Sequence, residues 1–467
     1  MKNLNTMPLR ALAGALLLIT AGASQAQQNT TYQYQYDAQG NLTQATDPLG
    51  KITTYGYDAL HRRIRSTDAA NGVTQFGYDG QDRLVSVTDA RNLVTTYSID
   101  GLGNLTQTTS PDTGSTTKTY DAAGNVASVT DAKGQTTQYQ YDALNRITRI
   151  TYADGGTVVY TYDQGANAIG RLSSITDASG SIAYSYDARG RVASEVRTIG
   201  GQIHTTAYRY DSAGRLSGLT YPSGRRIDYT RDGLGRISRI DTTQDGATQT
   251  LVSNVAYQPF GPAHTVTFGN GRTHSRSYDL DGRVTSYTLN GTAQTLSYDA
   301  ASRITAINDA GNAANNISYG YDALDRLTSA LKSGSSLGYA YDAVGNRSSR
   351  TLGAAVTNYS YGSTSNRLTQ VAGSQTTAIV MDANGSITNN GANQFTYDAR
   401  GRMISAATAV GEVQYRINGL GQRVQKIAPT GTTVFHYDTA GKLIAESSGQ
   451  ETIEYVYLHD QPVAVLK

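Results

Sequence analysis

The 467-residue chain has no cysteine and no tryptophan, and of its 37 acidic residues only 5 are glutamate against 32 aspartate. Each shortage excludes something. Without cysteine there are no disulfides, and structural zinc sites in their usual forms are ruled out. Glutamate is a helix former whereas aspartate belongs to turns and caps, so the imbalance excludes a substantial helical layer. Net charge is also lacking: the formal value of +2 gives no footprint for nucleic acid or for an acidic membrane surface. The one apolar run, Ala11 to about Ala23, follows Lys2 and Arg10 and precedes Ser24-Gln25-Ala26. It is short for a membrane span and has the layout of a secretory signal, residues 1–26, cut after Ala26. No other stretch can span a bilayer, so the remainder, residues 27–467, is expected beyond the inner membrane: periplasmic, on the cell surface or extracellular.

What is present is glycine (49) and tyrosine (34) in a repeat. Tyr-Asp occurs fourteen times, beginning at Tyr36, Tyr57, Tyr78, Tyr120, Tyr141, Tyr162, Tyr186, Tyr210, Tyr278, Tyr298, Tyr321, Tyr341, Tyr397 and Tyr437. Degenerate copies at Ile99, Arg231, Tyr257, Tyr361, Met381, Ile417 and Tyr457 bring the total to about 21 units, spaced mostly 20 or 21 residues apart. Each unit reads aromatic-x-Tyr-Asp-x-x-Gly-Arg/Asn-Leu/Ile/Val, then a Ser/Thr-rich stretch, then often Thr-Asp-x-x-Gly. In "TTQYQYDALNRITRITYADG", Thr136 to Gly155, Tyr139 and Tyr141 are two apart and share one strand face, with Gln138 and Gln140 on the other. Asp first and Gly fourth, as in Asp121 to Gly124, suit a type I turn followed by a left-handed residue. Where that Gly is missing, His61, Asp82, Asn145 or Asp325 replaces it, side chains that tolerate positive φ. One spacing resists the pattern. Leu84 and Val87, or Ile304 and Ile307, are three apart and do not keep one face of a regular strand; a bulge would account for this.

Two strands and two turns per unit make roughly 42 strands, and a flat ribbon of them would run on the order of 200 Å. Nothing in the sequence covers its aromatic face, so the expected architecture is a twisted all-β ribbon coiled until successive turns meet edge to edge. The stretch Asn254 to Gly271 breaks the rhythm with two prolines and a step of 26 residues, which suits a hinge or a loop turned into the cavity.

These residues, Tyr-Asp-x-x-Gly-Arg-Leu at a 20 to 21 residue period, resemble the YD repeats of the bacterial Rhs proteins and the teneurins over residues 30 to 467. "FTYDARGRMISA", "YRINGLGQRVQK" and "FHYDTAGKLIAE" look like the segment leading into the Rhs-associated core. The resemblance implies a hollow spiral β-shell that encloses a C-terminal toxin or serves surface recognition and carbohydrate binding. In the family the core ends in Asp-Pro-x-Gly-Leu, a self-cleavage motif. "DQPVAVL", Asp460 to Leu466, is not that motif, so no cleavage residue carries over.

No residue is singled out as catalytic, cofactor-binding or metal-binding. The histidines, His61, His204, His264, His274, His436 and His459, fall in different units without ligand spacing. "DLDGR", Asp279 to Arg283, begins like a calcium loop but lacks the later Asp and the closing Glu. "GLGRI", Gly233 to Ile237, is the repeat turn and opens no helix. The arginine after the turn (Arg171, Arg191, Arg215, Arg236, Arg283, Arg402) reads as a ladder pairing with Asp of neighbouring units. Tyrosines could stack on sugars, but a ring in nearly every unit is first a packing element.

The expected function is a non-catalytic shell or scaffold that encloses or presents a polypeptide, of toxin-delivery type. The alternatives are a surface or periplasmic carbohydrate-binding module and a displaced fragment of a longer shell. Partners are a polypeptide cargo, a separately encoded C-terminal remainder or a second copy of the chain, the last two adding strands near Glu454 to Lys467, and a cell-surface glycan in the second reading. Proline at Val456 or Val463 should then suppress self-association and spare the fold. The mature chain should begin near Gln27; intact-mass spectrometry of exported protein that finds residues 1–26 still attached would sink the secretory reading.

Overall fold

The computed structural model describes residues 31–289 and 291–467; the expected signal segment lies outside them. They form 43 strands and, as their only helix, one 3-10 turn, Ala313–Asn315.

One unit shows how the sequence makes the hairpin. Strand Val73–Tyr78 runs into the turn Asp79 to Asp82 and returns as Leu84–Thr88. The Asp79 carboxylate accepts from the backbone N–H of Gln81 (2.8 Å) and of Arg83 (3.0 Å), while the Asp82 N–H donates to the Asp79 carbonyl. The turn thus closes on its own side chain. Its fourth residue has positive φ, 63° at Asp82 and 83° at Gly124, which is why Gly, Asn, Asp or His stands there. Phe76 pairs with Val87 and Gly77 with Ser86, but Tyr78 pairs with Leu84, so Val85 is skipped. This bulge puts Leu84 and Val87 on the face of Phe76 and Tyr78, and it recurs in the Tyr-Asp hairpins, as at Tyr141 and Tyr341. The three-residue spacing is its signature.

Hairpin is tied to hairpin by the tyrosine itself. The Tyr78 hydroxyl donates to the carbonyl of Arg63 (3.0 Å), Tyr141 to Val126 (2.9 Å) and Tyr341 to Leu327 (2.8 Å), each the first strand residue after the preceding turn. Where a unit has Arg231 in place of tyrosine, its guanidinium reaches the Leu216 carbonyl (2.9 Å) and makes the same link.

Each strand pairs antiparallel with the next, giving sheets of 33 and 10 strands that meet at Ile379, between Ala378 and Val380. The proline-bearing stretch departs from the hinge or inward loop foreseen for it. Strand Ala247–Tyr257 and strand Ala263–Phe268 pair with each other and with their outer neighbours, and the extra residues form a second bulge between Ser253 and Ala256.

The ribbon coils, and contacts between successive windings measure it. Lys51 bonds Asp325, 274 residues on; Asp131 meets Asn384, 253 on; Asp177 meets Gly419, 242 on; Tyr257 meets His459, 202 on. At about 21 residues and two strands of ~4.8 Å per hairpin, the circumference falls from ~125 Å to ~90 Å. The spiral narrows. Early contacts join the Thr-Asp turn edge of the first winding to the Tyr-Asp turn edge of the second, whereas the last hairpins overlap the first winding. There Ala445, Val456, Leu458, Ala464 and Leu466 pack on Tyr208, Leu219, Ile227, Ile240 and Val252, which lie on the tyrosine face by register. A narrower winding that covers one face of a wider one lies inside it, so the tyrosine face is the concave one.

Burial follows from this overlap. Among the described residues, the buried hydrophobic side chains begin at Val158, with none between Val266 and Ala406. Elsewhere the wall is one sheet thick and wet on both sides. The terminal hairpin is docked on the first winding: Tyr221 donates to the Tyr455 carbonyl (2.8 Å), Arg225 and Ser223 hold Glu454 (both 2.5 Å), and Val456 is fully buried, while the outer edge of strand Gln461–Leu466 pairs with no other strand among the described residues. Proline at Val456 would therefore break the core between windings rather than suppress association alone.

Replacing Tyr141 by Phe keeps the ring and removes one interhairpin bond, costing about 1 kcal/mol locally. Hydrogen exchange should quicken in Thr136–Tyr141 and Val126–Thr130 and stay unchanged in the last hairpins. An effect spread over the whole chain would contradict hairpin-by-hairpin coupling.

Candidate functional site: the tyrosine-lined wall and its inner seam

The concave wall is built from three parts per unit: the Asp turn, the Arg after it and the Tyr of the next hairpin. Arg62 binds Asp58 of its own turn through Nε (2.7 Å), reaches Asp82 of the next turn (2.7 Å), and lies 4.9 Å over the Tyr78 ring. Arg146, Arg191 and Arg326 cover Tyr162, Tyr210 and Tyr341 at 4.3, 4.3 and 4.8 Å. This corrects the expected ladder. The first partner of Arg191, Arg215, Arg236 and Arg283 is the Asp four residues back; Arg283 also bonds Ser302 of the next unit, Arg191 and Arg236 meet the next unit through the Tyr210 and Tyr257 rings, and Arg171 and Arg402 bond backbone carbonyls of the next turn instead. The hydrogen bond from Arg191 is also the main reason the Asp187 carboxyl is held down at about 2.

Most Tyr-Asp tyrosines thus have the hydroxyl bonded to a carbonyl, and many have a ring face under a guanidinium. Little remains for stacking a sugar. The aromatics two residues earlier are less committed: no hydrogen bond engages the hydroxyls of Tyr139, Tyr319 or Tyr339 among the described residues.

The motifs weighed from sequence are turns here. Asp279 binds the N–H of Asp281 and Arg283 and the Arg283 side chain, and Gly233 to Ile237 is the turn after Asp232. Among the described residues no three of His, Asp or Glu are grouped to hold a metal.

The fold does bring two histidines together. His204 of the first winding and His436 of the second meet as tilted rings, with centroids 4.5 Å apart and planes at 57°, although 232 residues separate them. Around them lie Glu195 paired with Arg197, the Arg197 bond to Gln422 (2.7 Å), Gln425, and the His436 bond to Ser447 (3.3 Å). Glu195, Arg197, Gln425 and His436 are buried, and among the described residues His436 Nδ1, His204 Nε2 and Glu195 Oε2 have no hydrogen-bond partner. Burial, then His204 and Arg197, push His436 down to about 3; burial lowers His204 and raises Glu195. No sequence signal marks this cluster, because strand number sets the pairing. The other four histidines stand apart, His61 on Asn41, His264 on Thr265, His274 on the Thr288 carbonyl and His459 on Tyr257. A cavity of about 260 Å³ also opens on the seam, lined by Tyr152, Asp154, Asp177, Arg400, Ile404 and Tyr415 among others.

The Rhs repeat matches residues 18–52, 36–74, 78–117, 120–157, 167–203, 204–226 and 210–248, and the teneurin YD-shell matches residues 273–432. The chain belongs to the Rhs/YD-repeat family. None of the curated proteins matches it. Solved structures share the fold. The crystal structure of TcdB2-TccC3 superposes with a TM-score of 0.76 at 16% identity, covering 91% of this chain and 28% of that chain. TcdB2-TccC3 without its hypervariable C-terminal region gives 0.75 at 16%, covering 91% and 27%. The Photorhabdus luminescens Tc holotoxin pore gives 0.74 at 16%, with the same coverage. This YD-repeat shell therefore spans little more than a quarter of the chains it superposes on.

The histidine pair predicts acid sensitivity. Both rings stay neutral in the fold but protonate in the unfolded chain below pH ~6.5, so stability falls as pH drops from there towards 3, by at most ~1.4 kcal/mol per pH unit and histidine. The raised Glu195 works oppositely, losing stability as pH rises from its unfolded value of 4.5. The depressed Asp carboxyls act only as pH falls through 3.8. Between pH 7 and pH 5 the aspartates do not act and Glu195 works in the opposite sense, so a loss of melting temperature on going from pH 7 to pH 5 belongs to the histidines. His436→Gln should at least halve the loss between these pH values; an unchanged loss would remove the pair as its cause.

Proposed function

We propose that this YD-repeat shell is an exported, non-catalytic wall that encloses or presents another polypeptide. The observation that carries the reading is the uncovered concave face. A domain that works alone fills its interior, whereas here buried hydrophobic side chains occur only where windings overlap. A wall ~40 Å across, lined by rings on a lattice of hydroxyl–carbonyl bonds, provides sheltered volume rather than a reaction centre. The similar structures support the same reading, since they are structures of TcdB2-TccC3, in which TcdB2 is joined with TccC3. Self-release of a cargo forms no part of the proposal, because Asp460 to Leu466 does not match the family's cleavage motif.

The seam cavity beside Tyr152 and Tyr415, with Asp154 and Arg400 on its wall, favours a second reading as a carbohydrate-binding module. Sugar recognition would be local to such a pocket, since the repeated rings have their hydroxyls and many of their faces engaged.

Two assays separate the readings. Protein recovered from the exported fraction of producing cells should bring a polypeptide that resists protease while the shell is folded and is digested once it is unfolded. A glycan array should stay blank. Array binding with no co-purifying polypeptide would overturn the first reading in favour of the second.

A further inference from the structure

In most units the residue after the turn's Arg or Asn is aliphatic, as at Leu84, Ile147, Ile304 and Leu327, and packs on the tyrosine face. Three units place arginine there instead: Arg63, Arg347 and Arg423. The hairpin does not need the change. Their carbonyls still accept the hydroxyls of Tyr78, Tyr361 and Tyr437 at 3.0, 3.0 and 2.9 Å, as the aliphatic residues do elsewhere. Register pairs them with Tyr57, Tyr341 and Ile417, so all three stand on the concave face.

Each guanidinium is held between aromatic rings of two adjacent hairpins. Arg63 lies 5.7 Å from Tyr55 and 4.8 Å from Phe76, Arg347 5.9 Å from Tyr339 and 4.4 Å from Tyr359, and Arg423 5.7 Å from Tyr415 and 4.4 Å from Phe435. All three are exposed, and among the described residues none makes a hydrogen bond or an ion pair through its side chain. The turn arginines Arg62, Arg146 and Arg326, by contrast, direct their donors at Asp. The bulge also brings Arg350 beside Arg347 and Lys426 beside Arg423 on the same face, since these pair with Tyr339 and Tyr415. The near-neutral net charge hides a partial segregation: most carboxylates sit in the turns at the rims, whereas the concave wall carries these cations, with Glu446, bonded by the Tyr455 hydroxyl, as a carboxylate beside Phe435.

We propose that these ring-held arginines form a set of anion-receptive points on the concave wall, and that their occupant is a carboxylate-rich polypeptide segment. A guanidinium already oriented by rings presents a planar pair of donors that a carboxylate accepts bidentately. Cations along a concave wall also concentrate an oppositely charged chain inside it. Points on separate hairpins suit a flexible chain with many acidic side chains better than one compact ligand. The choice of polypeptide rests on the enclosure reading above; acidic polysaccharide and single-stranded DNA are competing occupants that the test resolves.

The test uses the mature chain and fluorescently labelled polyglutamate of about thirty residues, with polylysine, heparin and oligo-dT as comparisons, near 50 mM salt. The variant Arg63→Leu/Arg347→Leu/Arg423→Leu installs the commonest residue at this position, so circular dichroism should be unchanged. The control Arg65→Leu/Arg149→Leu/Arg416→Leu removes equal charge from exposed arginines of the opposite face, which pair with Gly56, Gln140 and Gln425. Polyglutamate should bind wild type, at least tenfold more weakly the first variant, and within threefold of wild type the control. Absence of wild-type binding, equal loss in both variants, or tighter binding of heparin or DNA would each overturn the proposal. Protease treatment of the bound peptide keeps the two readings apart. Variant-sensitive binding to a peptide that stays digestible upholds the receptive points and defeats enclosure; a protected cellular polypeptide with variant-insensitive polyglutamate binding does the reverse.

Discussion

The bond from nearly every Tyr-Asp tyrosine to a carbonyl of the preceding hairpin is the constraint on which the rest of the shell depends. Strand pairing alone makes a ribbon, which can slip, flatten or splay. The hydroxyl spans from one hairpin to the next and so sets the relation of unit to unit; Arg231 shows that the link is what matters, because another donor replaces the tyrosine without loss of the contact. The Asp turn and the bulge serve this link. The turn places the tyrosine at the hairpin end, and the bulge turns the apolar residue after the turn onto the same face.

A wall one sheet thick has little to bury, and the chain manages this by coiling. Over most of the ribbon, stability rests on ladders, turn carboxylates and guanidinium–ring contacts, each small but repeated in nearly every unit. Only as the spiral narrows does a core appear, when the outward face of the last hairpins lies against the tyrosine face of Gln202–Tyr210 through Ala263–Phe268. That overlap also buries titratable groups together, at the histidine pair as well as at Glu454 with Arg225. Glu195, His204 and His436 are ordinary strand residues until a second winding covers them. Burial then keeps both imidazoles neutral, and the seam acquires a sensitivity to acid that no single hairpin has.

The concave face has two chemical characters. Most Tyr-Asp tyrosines are structural, with hydroxyls bonded and many rings covered. The ring-held arginines are the opposite case, since they replace a packing residue and, beyond the rings, gain no hydrogen-bond or ion-pair partner for the side chain among the described residues. A repeat makes such departures readable: where 20-odd units solve one structural problem identically, a side chain that the solution does not need is available for another purpose.

Much of this was determined by the sequence alone. Period, strand and turn positions, the positive φ at His61, Asp82, Asn145 and Asp325, the tyrosine face and the coiled shell all follow from local rules that act within one unit or between adjacent ones. Even the bulge was present as the three-residue spacing of Leu84 and Val87. Tertiary structure decided what depends on the number of hairpins per winding, because small rotations between neighbours add up over about ten to thirteen of them and no local pattern encodes their sum. The narrowing of the spiral, the docking of the terminal strands, the meeting of His204 with His436 and the seam cavity all belong to that sum. The first partner of the turn arginine was missed for a different reason: an Asp four residues back reads as distant along an extended strand, and only the folded turn brings it within 2.7 Å of Arg62.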